Sequence, residues 1–265
     1  MTPEEQRIYL IRTLAGEMPQ YRKGEIPEEE AGQKQRIRAL MNVRPPLPPG
    51  REFLEIQDTY LRDEIMKRGI VDASSLAPVK EGSRIFLWQG DITRLRADAI
   101  VNAANSALLG CFHPLHSCID NAIHSFSGIQ LRLACNEIMR AQGHEEPTGT
   151  AKITPGYNLP SRYVLHTVGP VISGPLREKD CCLLADCYRS CLELAVKSGI
   201  RSIAFCCIST GVFQFPRERA AETAIETVAG FLEGDKSLKQ VIFNVFADLD
   251  LAVYRRLLEL SGRAV

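Results

Sequence analysis

Between Gly110 and Asp120 the chain reads Gly-Cys-Phe-His-Pro-Leu-His-Ser-Cys-Ile-Asp, so two thiols, two imidazoles and a carboxylate fall within one short segment. Soft ligands are seldom gathered so densely around a proline by accident. Cys111, His116 and Cys118 stand five and then two residues apart, and an extended loop held open by Pro114 could fold them around one zinc per chain. Three protein ligands leave a fourth position for water or substrate, which separates a catalytic zinc site from a sealed structural one. Other sets remain open at this level. His113 could replace His116, His124 lies one helical turn beyond Asp120, and Cys135 lies further along the same expected helix. The set of Cys111, His116 and Cys118 is preferred because it uses both loop thiolates and leaves that helix undisturbed. His144 reads as a solvated loop residue, and His166 as a packed strand residue near the site.

Three further loops carry polar groups suited to a nucleotide. Ser209-Thr210-Gly211-Val212-Phe213 follows a β-rich run and precedes a helical one, so its backbone amides can turn toward a phosphate at the positive end of that helix. A loop of this composition also serves merely to cap a helix. Gln89-Gly90-Asp91-Ile92-Thr93 places a carboxylate and an amide where they could read the edge of a base, or where Asp91 simply caps a turn. Asn105 could bind a ribose hydroxyl or close its own turn.

From Arg84 onward short β-rich runs alternate with helical ones. Strands are expected at Ile85 to Trp88, Ala99 to Val101, Tyr163 to His166, Ser202 to Cys206 and Val241 to Val245. Helices are expected over about 119 to 142, 179 to 198, 217 to 232 and 249 to 261. This alternation predicts an α/β sandwich, with ligands bound at the carboxyl ends of the strands where Asp91, Asn105 and Ser209 emerge. The first eighty residues read instead as a helical extension. Helices are expected after Thr2-Pro3-Glu4-Glu5, after Pro27-Glu28-Glu29-Glu30 as far as Met41, and from Phe53 to Met66, with Pro45 to Gly50 breaking the chain between the last two. The expected division is thus 1–80 for the extension and 81–265 for the α/β domain. The extension reads first as a cover for the domain, and second as a lid that shapes the substrate site.

Basic and acidic residues number 32 each, so no net field draws in nucleic acid or an anionic membrane. The amino terminus lacks a basic-then-apolar signal, and no apolar run approaches the roughly 20 residues that span a bilayer. A cytoplasmic location is expected. In that setting most of the nine cysteines should be free thiols. Cys181, Cys182, Cys187, Cys191, Cys206 and Cys207 read as small buried hydrophobes, and Cys135 as more suited to packing than to ligation.

Five ordered motifs resemble those of the macrodomain, an ADP-ribose-binding fold, over residues 84 to 262. They are Gly90-Asp91-Ile92-Thr93; Ala99 to Asn105; Thr148 to Ala151 with Thr154 to Pro160; His166 to Pro170; and Ser209 to Phe213. The resemblance implies a three-layer α/β/α sandwich with a mixed sheet. It implies that Asp91 binds the adenine amino group and that Ile92 adds a backbone contact. Asn105 would hold the distal ribose, Ser209, Thr210, Gly211 and Val212 the diphosphate, and Phe213 the distal ribose face. Where common macrodomain hydrolases carry a glycine-rich run before a catalytic aspartate, this chain has Cys111 to Ile119 before Asp120, which resembles the zinc-dependent branch. That branch implies removal of mono-ADP-ribose from proteins, with Asn105 and Asp120 catalytic. The metal would bind either a ribose hydroxyl or the attacking water. It also implies association with a sirtuin-like ADP-ribosyltransferase and a lipoyl-carrier protein of the glycine cleavage H type. Two other functions suit the same pocket: a non-catalytic ADP-ribose reader, and an O-acetyl-ADP-ribose deacetylase.

Overall fold

The computed structural model describes residues 1–261. Three helices come first, α1 (Pro3–Glu17), α2 (Glu30–Val43) and α3 (Arg51–Arg68). Thr2 and Glu5 close a capping box on α1, each side chain bonded to the other's backbone amide, at 3.2 and 2.6 Å. The apolar stripe predicted on the third helix is present: Phe53, Tyr60, Leu61 and Ile65 are buried, while Ile56 is partly buried. These faces form their own small core with Leu10, Leu14, Ile37 and Leu40, which Ile129 of the α/β domain joins.

Strands β1 (Val71–Asp72) and β3 (Leu95–Arg96) pair in a small parallel sheet, and Pro78 bridges to Phe86. The end of the expected extension is therefore already tied to the domain. The main sheet has six strands, β2 (Ile85–Gln89), β4 (Ala99–Ala104), β5 (Ala151–Pro155), β6 (Tyr163–Val168), β7 (Ser202–Phe205) and β8 (Gln240–Val245). Their spatial order is β2-β8-β7-β4-β6-β5, parallel except for β5 against β6. With α4 (Ile119–Ser127), α5 (Ile129–Gln142), α6 (Glu178–Lys197), α7 (Arg217–Gly234) and α8 (Asp248–Ser261), this sheet makes the expected three-layer sandwich. The central strands β4, β7 and β8 are buried almost throughout, as apolar runs covered on both faces must be.

Several details differ from the sequence-based expectation. The single helix expected over 119–142 is two, because Gly128 adopts φ 100° and ψ 170°. A Cβ there would lie 2.8 Å from Gln57 Nε2 of α3, so the break is where the extension touches the domain. Strand β5 was not expected. It is a five-residue edge strand ending in Pro155, a residue tolerated only at such an edge. Strand β7 ends at Phe205, so Cys206 and Cys207 lie in the following loop rather than in the strand. Cys182 is exposed on α6, against its assignment to the core, because helical spacing turns it outward from buried Cys181. All nine cysteines are free. Residues 262–265 of the expected domain lie outside the described residues, among which no helix is long and apolar enough to cross a membrane.

Candidate active site

The loop between β4 and α4 brings Cys111, His116 and Cys118 together, with their ligand atoms all within 4.8 Å of one another and all three side chains half-buried. Cys111 Sγ and His116 Nδ1 are 3.6 Å apart. Cys118 caps α4, its sulfur accepting from the Asn121 amide at 3.4 Å. Burial pushes the Cys118 thiol up to about 11, helped by neighbouring Cys111. A divalent cation would reverse that preference and hold both sulfurs as thiolates. Two sulfurs, one imidazole and an open side form a donor set that suits zinc. His113 does not belong to this group; its ring centroid is 6.0 Å from that of His116. His124 and Cys135 group with His166 in a separate, fully buried trio. His144 is exposed.

Asp120 lies in the first turn of α4 and is buried. Oδ1 accepts from Asn102 Nδ2 at 2.8 Å, and Oδ2 from Asn105 Nδ2 at 3.3 Å. Desolvation raises its carboxyl to about 6, opposed by the bond from Asn102 and the charge of Arg132. Asn102 is the last fully buried polar side chain of β4 and reaches both Asp120 and His166 Nδ1, the latter at 3.2 Å. Because the amide must donate to Nδ1, the assigned tautomer carries its proton on Nε2, which lies 2.9 Å from Thr154 Oγ1 and 3.8 Å from Cys135 Sγ. Both ring nitrogens of buried His124 lack a hydrogen bond among the described residues, although Nε2 is 3.5 Å from Asp120 Oδ1. Asn105 closes its own turn, accepting from the Ala107 amide at 3.1 Å and donating to Gly110 O at 3.1 Å.

The loop between β7 and α7 has the amide supply that its composition implied. Among the described residues the amides of Ser209, Gly211, Val212 and Phe213 have no intramolecular acceptor, and the loop leads directly into α7. Ser209 holds φ 64°, fixed by the Phe215 amide on its carbonyl at 2.9 Å, while Thr210 Oγ1 is turned back onto Cys207 O. Gly169, just past β6, lies so close that a Cβ would sit 2.0 Å from Ser209 Oγ.

Asp91 follows β2 and caps a 3₁₀ turn, with Oδ1 accepting from the Thr93 amide at 2.9 Å and from its hydroxyl at 2.6 Å. Its other oxygen pairs with Arg68, the last residue of α3, whose guanidinium lies 3.8 Å over the Phe126 ring. The Ile92 side chain is core, yet its amide has no intramolecular acceptor among the described residues. Beside them, past the end of β8, Phe246 is 77 % exposed, and its carbonyl accepts from Gln89 at 3.2 Å. Neither Arg68 nor Phe246 was expected at the site. A signal for Phe246 did exist, since an aromatic directly after a buried strand sits at the ligand edge of an α/β sheet.

A mixed six-stranded α/β sandwich with an amide-rich loop, a turn-capping carboxylate and a buried aspartate at its strand ends has the layout of a nucleotide-binding α/β protein. The Macro domain family model matches residues 101–224. The chain belongs to the macrodomain family. It is 54 % identical over 260 residues to a protein-ADP-ribose hydrolase of Treponema medium, covering 97 % of this chain and 100 % of that one. It is 53 % identical over 219 residues to a protein-ADP-ribose hydrolase of Staphylococcus aureus, covering 82 % of each. A Fusarium oxysporum protein named as a probable bifunctional ADP-ribose hydrolase/ADP-ribosyltransferase is 41 % identical over 240 residues, which are 84 % of this chain and 40 % of that protein. Among solved structures, the Trypanosoma brucei macrodomain in complex with ADP-ribose superposes with a TM-score of 0.63. It is 34 % identical and covers 83 % of this chain and 94 % of its own.

Proposed function

We propose that this protein is a zinc-dependent hydrolase that removes mono-ADP-ribose from modified proteins. The observation that carries the proposal is the meeting of Cys111, His116 and Cys118 two residues before buried Asp120, whose carboxylate Asn105 and Asn102 hold. The hydrolase name shared by relatives at 53 and 54 % identity supports the reaction. The donor set supports the metal.

The chain's own groups divide the work. Phe246 offers a face for the adenine ring, and Asp91 with the Ile92 amide reads its edge, with Arg68 holding the carboxylate in place. The free amides of Ser209, Gly211, Val212 and Phe213 bind the diphosphate at the start of α7, where the helix dipole adds to their pull. Phe213 packs on the distal ribose, and Asn105 orients it. Asp120, desolvated and held at both oxygens, positions the attacking water and accepts its proton. Cys111, His116 and Cys118 would hold the zinc, which would supply a Lewis acid for the reaction.

The nine free thiols accord with a reducing cytoplasm. The substrate is a mono-ADP-ribosylated protein written by a sirtuin-like transferase, with a lipoyl carrier of the glycine cleavage H type as acceptor. The relative named as a probable bifunctional hydrolase and transferase supports pairing with a transferase, while its sirtuin-like type and the acceptor rest on the likeness of the Cys111–Cys118 loop to the zinc-dependent branch. The test is release of free ADP-ribose from a mono-ADP-ribosylated protein by enzyme as purified, stripped by a chelator, and given zinc back. Release that vanishes and returns is expected. Undiminished release after complete stripping would overturn the metal's role, and tight ADP-ribose binding with no release in any state would make the protein a reader.

A further inference from the structure

The helical extension reaches into the loop that carries Cys111, His116 and Cys118. The loop has no regular structure between Gly110 and the start of α4, so its backbone must be held from outside. Cys118 is secured as the cap of α4, and Gly110, next to Cys111, by Asn105. His116 stands mid-loop; its own amide donates to His113 O at 3.3 Å, and α2 holds the peptide that follows it and the Pro114–Leu115 peptide before it. The Leu115 amide donates to Asn42 Oδ1 at 3.0 Å, and Arg38 Nη2 donates to His116 O at 3.1 Å. Leu115 itself takes φ 57°, a left-handed conformation that a leucine adopts only when its surroundings impose it.

The two α2 side chains are themselves fixed. Asn42 is 1 % exposed and donates to Ser125 Oγ at 2.8 Å, which locks its amide so that the oxygen faces the loop. Arg38 also donates to Asn121 Oδ1 at 2.9 Å, and Asn121 in turn donates to His113 O at 2.9 Å. Behind them Arg132 of α5 donates to Asn42 O and Leu109 O, and its guanidinium lies 4.2 Å over the Phe112 ring. No local sequence signal links Arg38 or Asn42 to a loop more than seventy residues away.

We propose that Arg38 and Asn42 are positioning residues for the metal site: α2 sets the His116 imidazole in register with the two thiolates, which makes the extension part of the active centre. This rests on the zinc reading above. Side chains that orient metal ligands typically contribute 10- to 100-fold in metal affinity. The test is zinc affinity by chelator competition on the full-length protein, with the visible spectrum of the cobalt-substituted form as a second readout of ligand geometry. For Asn42→Ala the expected result is zinc held about 10- to 100-fold more weakly, with altered cobalt bands. Asn42→Asp, which keeps the oxygen that accepts from Leu115, should recover most of that loss. Arg38→Ala tests the same register from a half-buried position and should shift affinity in the same direction. Wild-type protein that takes up no zinc would overturn the zinc reading itself. Zinc uptake by wild type with unchanged affinity and spectrum in both alanine variants would overturn the positioning role alone. Weakening in Asn42→Ala that Asn42→Asp fails to reverse would also overturn it, assigning the loss to general disruption of α2.

Discussion

Acid should attack this protein through the buried histidine behind Asp120. Burial depresses the His166 pKa to about 4, from the ordinary 6.5 of an exposed imidazole. Between those values the unfolded chain binds a proton that the folded state refuses, so stability falls as pH drops through the window. By linkage the loss is about 2 kcal/mol at pH 5 and about 3 kcal/mol at pH 4, relative to pH 8. That is a substantial share of a typical 5–15 kcal/mol total, taken as a rough range. Local geometry acts in the same direction as burial, since a proton on Nδ1 would face the Asn102 amide, itself a donor, at 3.2 Å. The assay is urea denaturation of wild type and His166→Gln at pH 8 and pH 5, comparing the change within each protein. The variant will start less stable, since it loses the Thr154 contact at 2.9 Å. Its loss on acidification should nonetheless be about 2 kcal/mol smaller. Burial and the charge of Arg132 drive His124 well down in both proteins, with a smaller push from His166 that the variant removes, and Asp120, raised by burial to about 6, takes up its proton in both. Equal pH dependence in the two proteins would refute the reasoning.

Gly169→Ala would place a methyl group 2.0 Å from Ser209 Oγ and 2.8 Å from Ile208 Cγ2, so both side chains at the head of the amide-rich loop must give way. ADP-ribose affinity by calorimetry should fall by about tenfold or more, roughly 1.4 kcal/mol, and unchanged affinity would remove that loop from the diphosphate site. Phe246→Ala should leave the urea midpoint within about 0.5 kcal/mol of wild type, because the ring is 77 % exposed, yet weaken ADP-ribose binding by about 1–3 kcal/mol. Equal affinity would show that the ring is not the adenine platform. Cys118→Ser should abolish stoichiometric zinc and turnover while ADP-ribose binding persists; full activity without metal would sink the zinc mechanism.

The chemistry-bearing loops were legible because each is local. Cys111, His116, Cys118 and Asp120 occupy one short segment, and the Ser209 loop lies between a strand and a helix that its own residues specify. Five of the main strands, and the helices apart from the break at Gly128, followed from periodicity in the same way. Alternatives that spacing left open were separated only in three dimensions: His113 lies outside the ligand group, and Cys135 and His124 pack with His166. The dual reading of Asp91 and Asn105 turns on contacts as well. Asp91 caps its turn and meets Arg68 of α3, and Asn105 closes its turn while reaching Asp120.

By itself the sequence determined the α/β class, most of its elements and the loops that gather polar groups and thiols, because hydrophobic period, turn chemistry and residue spacing act over a few residues. The tertiary structure alone decided that Gly128 splits a helix against Gln57, that β5 runs antiparallel at the edge, and that α2 grips the loop carrying Cys111, His116 and Cys118. Each of these is a contact between segments far apart in the chain. Its formation depends on how whole helices and strands pack, so no local pattern records it.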